Sequence, residues 1–139
     1  AKDAARGYLD IVERLAVEIG ESAGELNIKV GRNEICVALK GNKASLATAW
    51  DNNIINDLSE ASVVIRIFSA KIILPGEQLR YIGDPPRPTN ELRFVPERVE
   101  SVGWSWKADD DKVITSNELA KYAIKLFLDE VERKAEKTY

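Results

Sequence analysis

Histidine is missing from this 139-residue chain, and cysteine occurs once, at position 36. Without histidine, the Ser-His-Asp triad, the Cys-His pair and all histidine metal sites are excluded. One cysteine excludes a four-cysteine zinc site within a single chain and any internal disulfide. Catalysis would have to run on Asp, Glu, Lys, Arg, Tyr, Ser, Thr or Cys36. Cys36 lies between Ile35 and Val37 in an alternating stretch, with no histidine to hold a thiolate, and reads as a small core residue.

Long apolar runs are missing as well. The longest stretch without a charge, Ala44 to Trp50, is seven residues, far short of a bilayer span. The opening AKDAARGYLD carries no apolar signal core, and no Asn-x-Ser/Thr sequon occurs. Together with the lone cysteine, these features make the reducing cytoplasm the expected compartment. No glycine-rich phosphate loop is present, so no cofactor is expected.

What is present is ordinary globular composition, with 45% apolar residues, 31% charged residues and a net charge of −3. A chain of this length buries roughly two thirds of its unfolded surface, enough for a core without staples. Residues 1–139 are expected to form a single α+β domain. The slight negative charge does not favour nucleic acid or an anionic membrane as a partner.

The N-terminal segment reads as a helix, because Ala4, Tyr8, Ile11, Val12, Leu15 and Ile19 recur at helical spacing up to GESAG at 20–24. LNIKVGRNEICVALK then alternates as a β-hairpin turning at GRN. Residues 45–50 are expected to be a third strand, with a helix from Ala44 as the rival, and a short helix is expected after DNN at 51–53. SVVIRIF carries apolar residues on both parities, as in a strand covered on both faces.

All five prolines fall between positions 75 and 96. Pro75-Gly76 reads as a turn, 78–82 as a strand, and GDPPRPTNE at 83–91 as a stiff connection. Thr115-x-x-Glu118 matches a capping box. After it, Leu119, Tyr122, Ala123, Leu126 and Phe127 form the apolar stripe of a C-terminal helix. The expected architecture is an antiparallel meander sheet flanked by N-terminal and C-terminal helices, both on one face.

VGWSWK at 102–107 places Val102, Trp104 and Trp106 on one side of a strand, opposite Gly103 and Ser105. Periodicity does not say which side faces the helices. Upstream, the tryptophan parity carries Arg98 and Glu100, while Gly103 and Ser105 are small enough for a helix to approach. Either a bulge near residue 101 turns the indoles into the core, or they form a platform on the far face.

Arg66, amid apolar neighbours, is the candidate anion anchor, against an ion pair with a glutamate. ADDDK at 108–112 lacks EF-hand spacing and reads as a solvated turn, with no metal. The PxxP match at 85–88 reads as a rigid loop.

The leading expectation is a non-catalytic interaction or regulatory module, a homodimer or a binder of another protein, acting through an apolar tryptophan-bearing sheet face. The alternative is a binder of a small anionic or aromatic molecule, or a modest enzyme. Trp50, Arg66, Trp104 and Trp106 would line its pocket between sheet and helices, with an Asp or Glu as acid or base.

Overall fold

A computed structural model describes residues 2–23, 26–31, 33–39, 44–51, 62–69, 72, 83, 86–99, 103–108 and 110–136. A long helix α1 (Lys2–Ala23) precedes seven strands: β1 (Leu26–Val30), β2 (Glu34–Leu39), β3 (Ser45–Asp51), β4 (Ser62–Phe68), β5 (Asn90–Val99), β6 (Gly103–Lys107) and β7 (Val113–Ile114). Helix α2 (Ser116–Glu136) follows. The fold is α+β, with the strands side by side in chain order and each antiparallel to the next. The helices pack against each other and against the strands.

The register shows which side each strand buries. Ile35↔Thr48↔Ile65↔Leu92 and Trp50↔Val63↔Phe94 run as rows across β2 to β5, and Pro96↔Trp106↔Ile114 continues across β5 to β7. These rows face the helices, since their buried members join Tyr8, Val12, Leu119 and Phe127 in one core cluster. Each fully buried aliphatic or aromatic side chain there contributes about 1.5–3 kcal/mol.

On α1 the deepest line is Ala5, Leu9, Val12 and Ala16 with Tyr8, while Ala4, Ile11, Leu15 and Ile19 pack at its margin. The buried stripe is thus rotated slightly from the one read in the sequence, because alanines mark where other elements come closest. Gly20 lies within the helix rather than capping it. On α2, Ala120 and Ile124 join the buried line, and Tyr122 does not.

Residues 45–51 are strand, not helix. The short helix expected after residues 51–53, the turn at 75–76 and the strand at 78–82 lie outside the described residues. Asn90 and Glu91, read in the sequence as the end of the stiff connection, together with the unassigned residues 92–99, form the longest strand, with Pro96 inside it. Among the described residues, Pro96 falls beyond the β4 ladder, which ends at Phe94, on a stretch paired with β6 alone, where a missing N–H is tolerated.

The far side of the sheet is closed at its centre. Cys36, Ser45, Ser62, Val64, Phe68 and Ser105 are buried there, and Ile72 packs on Cys36 and Phe68. The expectation of a bare apolar flank is therefore corrected, because one copy of the chain already covers the middle of that face. As the two-parity pattern of SVVIRIF implied, β4 is buried on both sides except at Arg66.

The capping box forms as read. The Glu118 backbone N–H donates to Thr115 Oγ1 at 3.2 Å, and the Thr115 N–H donates to Glu118 Oε1 at 3.4 Å. Thr115→Ala removes one acceptor from the first turn of α2. It should cost about 1 kcal/mol in urea unfolding, and an unchanged midpoint would show that the cap does not hold this helix.

Candidate functional site

The four residues singled out in the sequence do not converge on one site. Trp106 is wholly buried on the helix side, with ring centroids 6.3 Å from Tyr8 and 6.1 Å from Trp50. Its indole N–H donates to Ser116 Oγ at 2.8 Å, at the start of α2. Trp50 is buried beside it, but its indole N–H has no acceptor among the described residues. These two tryptophans are core, and neither forms a platform.

Trp104 differs. It shares the face of Trp106, two residues along the same strand, yet it is 38% exposed. Opposite it in the ladder stands Arg98, also exposed. Trp106 takes the core position that one of the two arrangements gave it, and the bulge near residue 101 lies outside the described residues. Both indoles share the helix-facing parity, and Arg98 is tolerated on it because this end of the β5–β6 ladder is exposed. On the other parity, Glu97 pairs with buried Ser105, and its Oε2 is buried without a hydrogen-bond partner among the described residues, a costly arrangement.

Arg66 lies on the far face, outside the helix-side core. Its Nε donates to Glu91 Oε2 at 3.3 Å across the β4–β5 ladder, where the two are register partners. Both side chains are more than a third exposed, so the pair contributes at most about 1 kcal/mol. Arg93 reaches the same carboxylate at 3.7 Å and donates to Ser62 Oγ at 3.4 Å. The proposed anion anchor is thus an internal ion pair, and the pocket expected between Trp50, Arg66, Trp104 and Trp106 is not assembled by these residues.

A polar relay missed in the sequence ties the helix to the sheet. The Thr48 hydroxyl gives its proton to the Val64 carbonyl at 2.8 Å, so Tyr8 is the donor in the 2.8 Å bond between Tyr8 Oη and Thr48 Oγ1. Burial drives the Tyr8 phenol pKa up from its ordinary value, and the bond to Thr48 offsets part of that rise. Thr48 alternates with Leu46 and Trp50 on the helix side, and a lone threonine on an apolar parity was the available signal.

The ADDDK turn closes the β6–β7 hairpin. Asp110 Oδ1 accepts the Lys112 backbone N–H at 3.1 Å, and Asp111 pairs with Lys107 at 3.2 Å. Asp111 takes the left-handed conformation at φ 64°, which aspartate tolerates better than most residues. Among the described residues, no group of three or more Cys, Asp or Glu is placed to hold a metal ion. Of the PxxP segment, Pro86, Arg87 and Pro88 are described and have no regular structure. The segment's end is pinned by Thr89, whose N–H donates to the Ile67 carbonyl at 2.7 Å.

One groove stands beside these features. Leu92, Phe94, Ile114 and Tyr122 line a cavity of about 430 Å³ between β5, the β6–β7 hairpin and α2. Phe94 and Tyr122 meet edge to face at 6.4 Å. Only the upstream alternation of Leu92 and Phe94 with Glu91 and Arg93 hinted at it. Comparison with known proteins finds no matching family model and no significantly similar curated protein or solved structure. Among the described residues, no helix is long and apolar enough to cross a membrane.

Cys36 is buried, and that burial, reinforced by the charge of Glu34, pushes its thiol up to about 12. A thiol whose folded value exceeds its ordinary value of 9.0 keeps its stabilising effect below that value and loses it as pH rises towards 12. Stability should therefore fall between these pH values, and Cys36→Ala should flatten that slope in denaturant titrations. A native thiol that reacts rapidly at pH 8 would contradict the assignment.

The two buried indoles should also differ on substitution. Trp106→Phe breaks the bond to Ser116 and opens space, for a loss of roughly 2–3 kcal/mol. Trp50→Phe also removes an unpaired buried donor and should cost only roughly 1–2 kcal/mol. Chemical denaturation of both variants checks this, and equal or reversed losses would refute it.

Proposed function

We propose that this chain is a non-catalytic interaction module of the cytoplasm that self-associates as a homodimer through the outer end of the β5–β6 ladder, with Trp104 as anchor. One observation carries the reading: on a single strand face Trp106 is fully buried, while Trp104 is left 38% exposed. A partly exposed indole offers apolar contact surface, and aromatic anchors dominate protein interfaces. Arg98, its ladder partner, supplies a guanidinium that can stack on a facing ring. About a two-fold axis each copy offers the same pair to the other, which makes the patch self-complementary.

The state of the reactive groups favours binding over chemistry. The Cys36 thiol is held protonated, the Tyr8 hydroxyl is spent in the relay to Thr48, and Arg66 is engaged by Glu91. On α2, Glu130 is engaged by Arg133, whose Nε donates to Glu130 Oε2 at 3.0 Å. A lone buried thiol also suits a reducing compartment.

Sedimentation velocity across a concentration series tests the proposal. The native chain should shift from monomer to dimer with rising concentration, and acrylamide quenching of tryptophan should fall in step as Trp104 is covered. Trp104→Glu should abolish the shift without altering thermal melting. A chain that stays monomeric throughout, or a dimer indifferent to Trp104→Glu, overturns the reading.

A further inference from the structure

The groove between β5 and α2 lies where the sheet has a gap. Lys107 is the last residue of β6 to pair with β5, opposite Val95. The chain then turns at Ala108, whose N–H donates to the Lys112 carbonyl at 3.1 Å. A longer β6 would have continued beside residues 94 to 90. Among the described residues, no strand pairs with that edge of 90–94, while β4 takes the other edge. A strand turns alternate peptide groups to its two edges, so this edge presents N–H and C=O groups that lack ladder partners among the described residues. Arg93 borders the groove as main chain, because its side chain is engaged on the opposite sheet face by Ser62 at 3.4 Å and Glu91 at 3.7 Å.

On the helix side the walls of this gap are apolar. Leu92, Phe94, Ile114 and Tyr122 surround about 430 Å³, within the range of small-ligand sites, about 300–1,000 Å³. Tyr122 belongs to the apolar stripe of α2 by sequence, yet it is 39% exposed and stands at the gap rather than in the core. It meets Phe94 edge to face at 6.4 Å. At the rim the described charges cancel. Lys112 is balanced by Asp110, and Lys107 is engaged by Asp111 at 3.2 Å. The gap thus combines an open strand edge, an aromatic wall and a rim without net charge among the described residues.

We propose that this gap binds a short, uncharged peptide in extended form with an aromatic residue at its centre. The peptide takes up the line that β6 leaves, antiparallel to residues 90–94, and completes the ladder there. Its aromatic side chain lies on the helix side, over Leu92 and Phe94 and against Tyr122, where apolar burial and ring contact favour it over a small aliphatic one. Main-chain bonds supply affinity, and the aromatic wall supplies selectivity.

Amide NMR titration of the full chain with the blocked tripeptide acetyl-Thr-Phe-Thr-amide tests this. Saturable shifts should centre on residues 91–94 and Tyr122, and added salt should leave the affinity unchanged. Replacing the peptide's N–H groups by ester oxygens, one at a time, should weaken binding about tenfold at alternate positions and leave it unchanged between them, as strand pairing requires. Alanine in place of the probe's phenylalanine, or Tyr122→Ser in the chain, should each weaken binding about tenfold. Unchanged thermal melting of Tyr122→Ser separates loss of the site from loss of the fold. Trp104→Glu should leave the titration unaffected, so this result stands or falls apart from the association reading. No saturable binding, an ester series without alternation, or indifference to Tyr122→Ser overturns the proposal.

Discussion

Trp106 is the point at which the parts of this fold are held together. Its ring contacts Tyr8 from the first helix and Trp50 from the third strand, and its N–H is spent on Ser116 at the start of the last helix. Tyr8 in turn hands its proton to Thr48, which bonds the Val64 carbonyl. One aromatic and polar chain thus spans both helices and three strands. Buried donors and acceptors are tolerable only when paired, so this network imposes a particular geometry that apolar burial alone would leave loose. Among the described residues the Trp50 N–H finds no acceptor, so the polar pairing of this cluster runs through Trp106 and Tyr8.

The length of β5 is the second organising constraint. Its first five residues pair with β4 and its last five with β6, so it passes the sheet from one neighbour to the next. This stagger has two consequences. At one end of the β5–β6 ladder Trp104 and its partner Arg98 are left partly exposed. At the other, β6 turns away and leaves Leu92 and Phe94 facing a groove. Both candidate surfaces therefore arise from one feature of strand pairing.

Much of the architecture was legible in the residues, because its causes are local. The alternation of Leu26–Leu39, the two-parity run of SVVIRIF and the Thr115–Glu118 box each encode an element within a few positions. The candidate site was far less legible. Whether Trp104 and Trp106 are buried depends on where the helices stop, and their shared parity conceals that difference. Arg66 looked like an anchor because Glu91, which is 25 residues away in the chain, becomes its neighbour only through sheet register. Tyr122 fell on the apolar stripe yet stands at the edge of a groove, since a helix's outermost stripe residue can serve either the core or its margin. Pro96 obscured β5, because proline is excluded from most strands, and the permissive stagger is a tertiary fact.

The two helices pack against each other, although the whole sheet, about ninety residues, lies between them in the chain. During translation α1 therefore emerges long before its companion is made, with Tyr8, Leu9 and Val12 unsheltered. The nascent chain can assemble its hairpins in order as they leave the ribosome, but the aromatic knot has to wait for Trp106 and Ser116. Its closure cannot precede the synthesis of α2, whose first residue accepts the Trp106 N–H.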